Sequence, residues 1–325
     1  MPTSLLSAHP GLRAVLLASV WLGVLAMSAP AAAQVSGTWT APLPNPQEWT
    51  LGTNWSSSPN VPDNIATFTN NGAATSVTIS STASIGTIQF TSAAPAYSFA
   101  VNLALFEING SGIVNSSLST PSFTNNAAIT FSNASSAGNS IIVNNATLSF
   151  TDTSTAGSAT ITTNAGAITQ FAGNSNGGSA SFIANAGGTV DFSGTSGPSG
   201  NHQITAGSIA GAGTYFLGSN RLTVGSNNLS TTVSGEIQDG GSFGGSGASL
   251  VKVGTGTLTL SGNNSYTGAT TISAGTRSPP AARSTSASAG LPERSSRRRS
   301  PTMVRSSRTS PIRSRSLPPS PARAR

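Results

Sequence analysis

A short repeat with a period near twenty residues constrains this chain more than any other feature. Between residues 129 and 208 a phenylalanine recurs at intervals of 19, 21 and 21 residues. These phenylalanines are Phe131, Phe150, Phe171 and Phe192. Each of the first three is followed fourteen residues later by an Asn-Ala pair. Short alternating runs of strand-favouring residues, separated by Gly, Asn and Ser, indicate one β coil per repeat. A fixed period of this length is typical of a solenoid.

A coil of about twenty residues cannot bury its apolar face alone, so it must stack on its neighbours. Parallel strand pairing would place successive coils about 4.8 Å apart. We therefore predict an all-β fold, a parallel β-helix (β-solenoid) of roughly 20 residues per coil. At that period residues 64–276 would make roughly ten or eleven coils.

Stacked coils bring equivalent side chains into ladders, and the sequence predicts three of them. The four phenylalanines form one inward ladder. A second inward ladder comprises Ile141, Ile161 and Phe182. A third, at the corners, comprises Asn145, Asn164 and Asn185. Asparagine tolerates the left-handed backbone conformation there and can bond its amide to the copies above and below. We expect all three ladders to be structural.

The first 33 residues have the pattern of a secretory signal peptide. Arg13 supplies the positive charge, residues 14–27 the apolar stretch, and residues 31–33 a small-residue cleavage site. The sequence therefore predicts export. The chain contains no cysteine, so disulfides cannot stabilise it, and we expect a large repetitive core to do so.

The formal charge of +7 averages three unlike segments. The signal segment carries +1, residues 34–276 carry −5, and residues 277–325 carry +11. The body is mildly acidic, and the high isoelectric point belongs to the C-terminal segment.

Tryptophan and proline are concentrated at the start of the mature chain, between residues 34 and 63. Trp39, Trp49 and Trp55 lie within seventeen residues. We predict that this segment is an N-terminal aromatic cap, which closes the first coil against water. An exposed aromatic platform for sugars is the alternative. Residues 64–248 would then be the solenoid body, interrupted by a flexible Gly-rich stretch at residues 240–247.

Residues 249–276 carry a recognisable pattern. A Lys-x-Gly-x-Gly turn precedes an alternating strand, then Ser-Gly-x-Asn-x-Tyr-x-Gly, then a short strand ending in Gly-Thr. The matching positions are Lys252, Gly254, Gly256, Leu258, Leu260, Gly262, Asn264, Tyr266, Gly268 and Thr271. This pattern resembles the autotransporter-associated β-strand repeat, also called the passenger-associated transport repeat.

The resemblance implies the passenger of a Gram-negative autotransporter. Such a passenger is a right-handed β-helix that is exported by the Sec route and displayed at the cell surface. Its expected partners are an outer-membrane β-barrel translocator, for which we find no sequence in this chain, and the surface of a host or neighbouring cell. The implied role is that of a structural or adhesive rod.

Residues 277–325 are rich in Arg, Ser and Pro, and this composition predicts a disordered tail. Nucleic-acid or anionic-membrane binding is one explanation of its twelve arginines. We favour a change of reading frame after Thr276, because codons for residues 300–306 read one frame over permit the idiom of the upstream coils. A chain truncated in this way would stop in the periplasm, and a non-functional fragment is one alternative function.

Catalytic chemistry has little support in the body. A Ser-His-Asp site needs a histidine, and only His202 remains after the signal. Residues 240–244 fit the nucleophile-elbow pattern formally, without its strand-to-helix context. A β-helical polysaccharide-processing enzyme would need clustered carboxylates, whereas Asp152 and Asp191 lie at different offsets from their phenylalanines, and Arg221 is an isolated cation. We expect no catalytic, cofactor-binding or metal-binding residues, no cofactor, and no enzymatic activity.

Overall fold

The computed structural model describes residues 33–278 of the 325-residue chain, with side chains to residue 275. The chain divides into two units, Met1–Ser286 and Ala287–Arg325, and the second lies outside the described residues. The predicted signal peptide and the predicted disordered tail also lie outside them, apart from the first residues that follow Thr276.

The described residues form β-strands, one turn of 3-10 helix at Gly52–Asn54 and connecting turns. The strands are β1 (Gly37–Thr38), β2 (Gln47–Glu48), β3 (Ile65–Phe68), β4 (Ser76–Ile79), β5 (Ala83–Phe90), β6 (Ser98–Val101), β7 (Leu105–Asn115), β8 (Ser122–Asn125), β9 (Ala128–Phe131), β10 (Ile141–Asn144), β11 (Thr147–Phe150), β12 (Thr160–Thr163), β13 (Ile168–Gly173), β14 (Ser181–Ala184), β15 (Thr189–Thr195), β16 (Gln203–Ala206), β17 (Ser208–Gly211), β18 (Thr214–Phe216), β19 (Arg221–Val224), β20 (Thr231–Val233), β21 (Glu236–Gln238), β22 (Ser249–Lys252), β23 (Thr257–Leu260), β24 (Thr270–Ile272) and β25 (Thr276–Ser278).

These strands stack into three parallel sheets that run along the solenoid axis. The first sheet has the order β1-β3-β5-β7-β9-β11-β13-β15-β18-β21. The second has the order β2-β4-β6-β8-β10-β12-β14-β17-β20-β23-β25. The third, β16-β19-β22-β24, occupies the C-terminal coils. The predicted all-β parallel solenoid is therefore confirmed.

The third side of the solenoid changes character along the axis. In the middle coils it consists of isolated parallel bridges that link Gly112, Ser136, Thr155 and Asn176 in turn. The side chain of Asn176 then bonds both the amide and the hydroxyl of Thr205, at 2.8 and 2.9 Å. This contact passes the stacking on to β16 and the third sheet.

The coils are longer and fewer than the phenylalanine spacing predicts. The solenoid has about 9 turns of about 22 residues, whereas we predicted ten or eleven coils of roughly 20. The regular block follows the 19- and 21-residue spacing, but coils outside it are longer. Thr189, for example, pairs with Thr214, which is 25 residues further along the chain.

The predicted phenylalanine ladder is present inside the solenoid. Adjacent rings are stacked, with centroid distances of 5.0, 4.8 and 4.7 Å along the series from Phe131 to Phe192. All four side chains are buried. The ladder thus removes four large apolar side chains from water in a regular array, which is a main source of stability in a coil of this size.

The second predicted ladder was wrong by one residue in its first member. Ile142, rather than Ile141, pairs with Ile161 and lies in register with Phe182. Ile142 is buried, whereas Ile141 is 41% exposed on the outer side. The run Ile141-Ile142-Val143 is apolar throughout, so alternation alone could not decide which residue faces the core.

The predicted asparagine ladder exists and is longer than expected. Side-chain amides donate head to tail from Asn185 to Asn164, Asn145, Asn126 and Asn102, with distances of 2.6 to 2.8 Å. The expected left-handed conformation at these residues was wrong, because they are absent from the described residues with positive φ. Gly166 and Gly187, two residues after Asn164 and Asn185, have that conformation instead.

The three tryptophans of the N-terminal segment are buried against the first coils. Trp39 and Trp49 each meet Trp55 edge to face, at centroid distances of 4.9 and 4.8 Å. All three rings also contact Phe68, at 5.8 to 6.0 Å. Because each tryptophan is at most 1% exposed, no ring face is open to a sugar. The boundaries of this segment as a separate cap stay a prediction.

Candidate functional site

The segment that resembles a transport repeat forms the C-terminal coils described by the structure. It contributes β22 and β24 to the third sheet and β23 to the second. Leu222, Leu250 and Thr270 lie in one register, as do Val233 and Leu260. The repeat therefore continues the ladders of the body and does not form a separate module.

Two glycines of the pattern lie directly against the backbone of the coil beneath. A Cβ at Gly262 would lie 1.7 Å from the carbonyl oxygen of Gly235. A Cβ at Gly254 would lie 2.0 Å from the carbonyl oxygen of Gly225, and Gly254 also has a φ of +68°. No other residue fits without moving the backbone, so these glycines set how closely the repeat packs on the coil beneath it.

Asn264 and Tyr266 bind the end of the first sheet. Asn264 Oδ1 accepts the backbone N–H of Ile237 at 2.9 Å, and Asn264 Nδ2 donates to Gly262 O at 3.0 Å. The amides of Ser265 and Tyr266 both donate to Ile237 O. The Tyr266 side chain packs against the core. Asn264 and Tyr266 thereby cover β21, the last strand of the first sheet.

Lys252 occupies an inward position, where the coils beneath have Val224 and Ala206. It is only 2% exposed. Its ammonium group turns back and donates to the carbonyl oxygens of Val253 and, at 3.1 Å, Gly254. Burial lowers the pKa of Lys252 from its ordinary value, because the charged form loses hydration. Lys252 thus holds the turn that contains Gly254.

Comparison with family models matches residues 250–276 to the passenger-associated-transport-repeat. The comparisons with curated proteins and with solved structures found no match. The transport repeat and the parallel β-solenoid together fit an autotransporter passenger. No helix among residues 33–278 is long and apolar enough to cross a membrane.

The two aspartates considered for polysaccharide chemistry hold backbone groups on different columns of the solenoid. Asp152 Oδ2 accepts the amide of Asn133 at 2.9 Å, and its backbone stacks under Asn174. Asp191 instead aligns with Gln170 on the first sheet. Within residues 33–275 no group of three or more His, Asp or Glu residues is close enough to hold a metal ion.

Asp191 has a structural task that the sequence did not indicate. It occupies an outward position of β15 but is only 1% exposed, because the Gly-rich segment 240–247 folds back over it. Its carboxylate accepts the amides of Ser193 and Ser242, each at 2.8 Å. The predicted flexible interruption is therefore a loop that is fixed to the first sheet.

His202 lies in an exposed turn with a φ of +58°. Its Nδ1 lies 2.9 Å from Asn220 Oδ1, while Asn220 Nδ2 donates to Phe192 O at 2.7 Å. The amide is thus oriented with its oxygen toward the imidazole, so Nδ1 carries the proton. An amide partner orients the ring but cannot stabilise an imidazolium as a carboxylate does.

Buried polar ladders were also missed by the sequence analysis. Asn125 donates to Asn144 Oδ1 at 2.8 Å, and Asn144 donates to Thr169 Oγ1 at 3.2 Å, all inside the core. Their only signal was an asparagine at an inward position of β8 and β10, next to the exposed asparagine that we assigned. The paired amides satisfy one another and fix the register of these coils.

Proposed function

We propose that this chain is the passenger part of an autotransporter, displayed as a β-solenoid rod on the surface of a Gram-negative cell. The observation that carries the proposal is the continuous stacking of the transport repeat, residues 250–276, on the coils of the body. By its resemblance this repeat emerges early in export, and a folded repeat would template the coils that follow it.

Export would require residues 1–33 as a signal peptide for the Sec route and an outer-membrane β-barrel translocator as partner. The displayed body would act as a structural or adhesive rod against a host or neighbouring cell. Its exposed columns of Asn, Thr and Ser and the fixed loop at residues 240–247 support a binding role, because rigidly held surface groups lose little freedom on binding.

We propose no enzymatic role. The assignment is supported by the use of Asp191 and Asp152 as backbone ligands and by the amide partner of His202. A change of reading frame after Thr276 stays our explanation of the Arg-rich segment. It is supported by the register of β25, in which Arg277 is paired with the buried Leu258.

The test is surface display of residues 1–276 fused in frame to a heterologous autotransporter barrel. Antibody against the body should label intact cells that carry the fusion. Gly262→Val should abolish labelling, because the added side chain would overlap the backbone of Gly235. Thr259→Val, at an outward position of the same repeat, is the matched control and should label normally.

Barrel insertion is measured in the same cells with an antibody against the barrel. If the fusion inserts its barrel but the body is not labelled, the proposed display is wrong. Equal labelling of the Gly262→Val fusion would show instead that a folded repeat is not needed for export.

A further inference from the structure

The outer side of the second sheet presents three straight columns of small side chains. They come from the coil segments 98–102, 122–126, 141–145, 160–164 and 181–185, in which every second residue faces outward. Strand pairing puts equivalent positions in register over all five coils. The first column is Ser98, Ser122, Ile141, Thr160 and Ser181; the second is Ala100, Thr124, Val143, Thr162 and Ile183; the third is Asn102, Asn126, Asn145, Asn164 and Asn185. We call this surface the three-column face.

None of the fifteen positions of the three-column face carries a charged or aromatic side chain. The columns repeat about every 4.8 Å along the axis and lie about 7 Å apart across the strands. Each outward residue alternates with a core residue such as Ile142, Ile161 or Phe182. The face is therefore rigid, uncharged and regular in two directions.

The asparagine column supplies the hydrogen bonds. Within the ladder each inner amide donates one N–H to the coil before it and accepts one from the coil after it. A side-chain amide has two N–H donors and two acceptor lone pairs. One donor and one acceptor per coil are therefore free on the exposed side, in an orientation that the ladder already fixes.

We propose that the three-column face binds an uncharged polysaccharide chain laid along the solenoid axis. The free amide groups would pair with sugar hydroxyls, while the methyl groups of Ile141, Val143 and Ile183 would contact the C–H faces of the rings. The coil spacing is comparable with the length of one sugar ring, so contacts can recur from coil to coil. This inference rests on the proposed adhesive function and names its partner.

The electrostatics favour a neutral polymer over an acidic one. The face has no cation to pair with a carboxylate, sulfate or phosphate, and the body around it is net acidic. A flat face encloses no single sugar, so the affinity must accumulate over many weak contacts along the chain. Long polymers should therefore bind, whereas short oligosaccharides should not.

The experiment is native affinity electrophoresis of the full chain in gels that contain hydroxyethylcellulose. Carboxymethylcellulose, which has the same backbone with added carboxylates, is the acidic comparison, and cellohexaose is the short competitor. We expect retardation by hydroxyethylcellulose, none by carboxymethylcellulose, and no competition by cellohexaose.

Thr162→Arg places a bulky side chain in the middle column and should weaken retardation about tenfold, since it separates the polymer from neighbouring coils. Thr130→Arg, at an outward position of β9 on the first sheet, should leave it unchanged. Asn164→Ala, which removes one amide without adding bulk, should weaken binding by a smaller factor. Thermal unfolding confirms that each variant is folded.

Absence of retardation by hydroxyethylcellulose, or equal effects of Thr162→Arg and Thr130→Arg, would overturn the proposal. Equal retardation by carboxymethylcellulose would overturn the argument from charge. Concentration-dependent slowing without any polymer would identify a second copy of the chain as the occupant and also overturn it. Because the gel involves no export, its failure leaves surface display untouched, and failure of display leaves the gel result intact.

Discussion

At the scale of single residues, the solenoid core tolerates some unpaired polar groups and satisfies others fully. The hydroxyls of Ser135, Ser154 and Ser175 are buried one above another without a hydrogen-bond partner. The hydroxyl of Tyr215, by contrast, lies 2.6 Å from Ala210 O, 3.0 Å from Phe182 O, 3.1 Å from Ala210 N and 3.3 Å from Ala184 N. Size explains the difference, because a serine fits where coils approach closely, whereas a buried tyrosine needs partners for its hydroxyl.

Tyr215→Phe should lower the free energy of unfolding by about 2 to 3 kcal/mol, since several buried backbone groups lose their partner. Burial also raises the pKa of Tyr215. Above pH of about 10 an unfolded tyrosine loses its proton while the folded one keeps it. The unfolded state then binds fewer protons, so the stability from Tyr215 is present below that pH and is lost above it.

Denaturant unfolding of both proteins from pH 8 to 11 checks this prediction. The difference in unfolding free energy between wild type and variant should shrink above pH 10, and taking the difference removes the contributions of Tyr97 and Lys252. A difference that is constant across this range would contradict the buried position of the hydroxyl.

At the scale of elements, the coil repeat could be predicted from the sequence because its phenylalanines differ sharply from their polar surroundings. The exposed asparagine column followed from the same spacing. The register of β10 could not be predicted, because three consecutive apolar residues leave no alternation to follow. The loop over Asp191 could not be predicted either, since it joins residues about fifty positions apart through backbone amides that leave no trace in composition.

Phe171→Ala tests the phenylalanine ladder at its centre. The change should cost about 3 to 5 kcal/mol, and the cavity should weaken the coils on both sides, because stacked repeats share their stability. Ser175→Ala, four residues away, is the matched control. It should be nearly neutral, because the removed hydroxyl is buried without a partner.

Chemical denaturation gives both free energies, and hydrogen exchange reports which coils open. A costly Ser175→Ala beside a silent Phe171→Ala would contradict the assigned ladder.

At the scale of the whole molecule, the body and the transport repeat form one stack of coils. The sequence predicted the solenoid class and located the repeat through its spaced glycines, Asn264 and Tyr266. The reason for that spacing required the structure, since it lies in contacts with the coil beneath. Cooperative stacking is what a displayed rod requires, because each coil is stable only against its neighbours.

Limited trypsin digestion of the full chain, read by mass spectrometry, tests this continuity most directly. Within residues 34–276 trypsin can cut only after Arg221 and Lys252, and both lie on paired strands of the third sheet. Proteolysis needs local opening, so the bond after the buried Lys252 should survive as long as the body stays folded and should be cut once the chain is heat-unfolded. Rapid cleavage after Lys252 in a chain whose body remains intact would show that the repeat is not part of the solenoid.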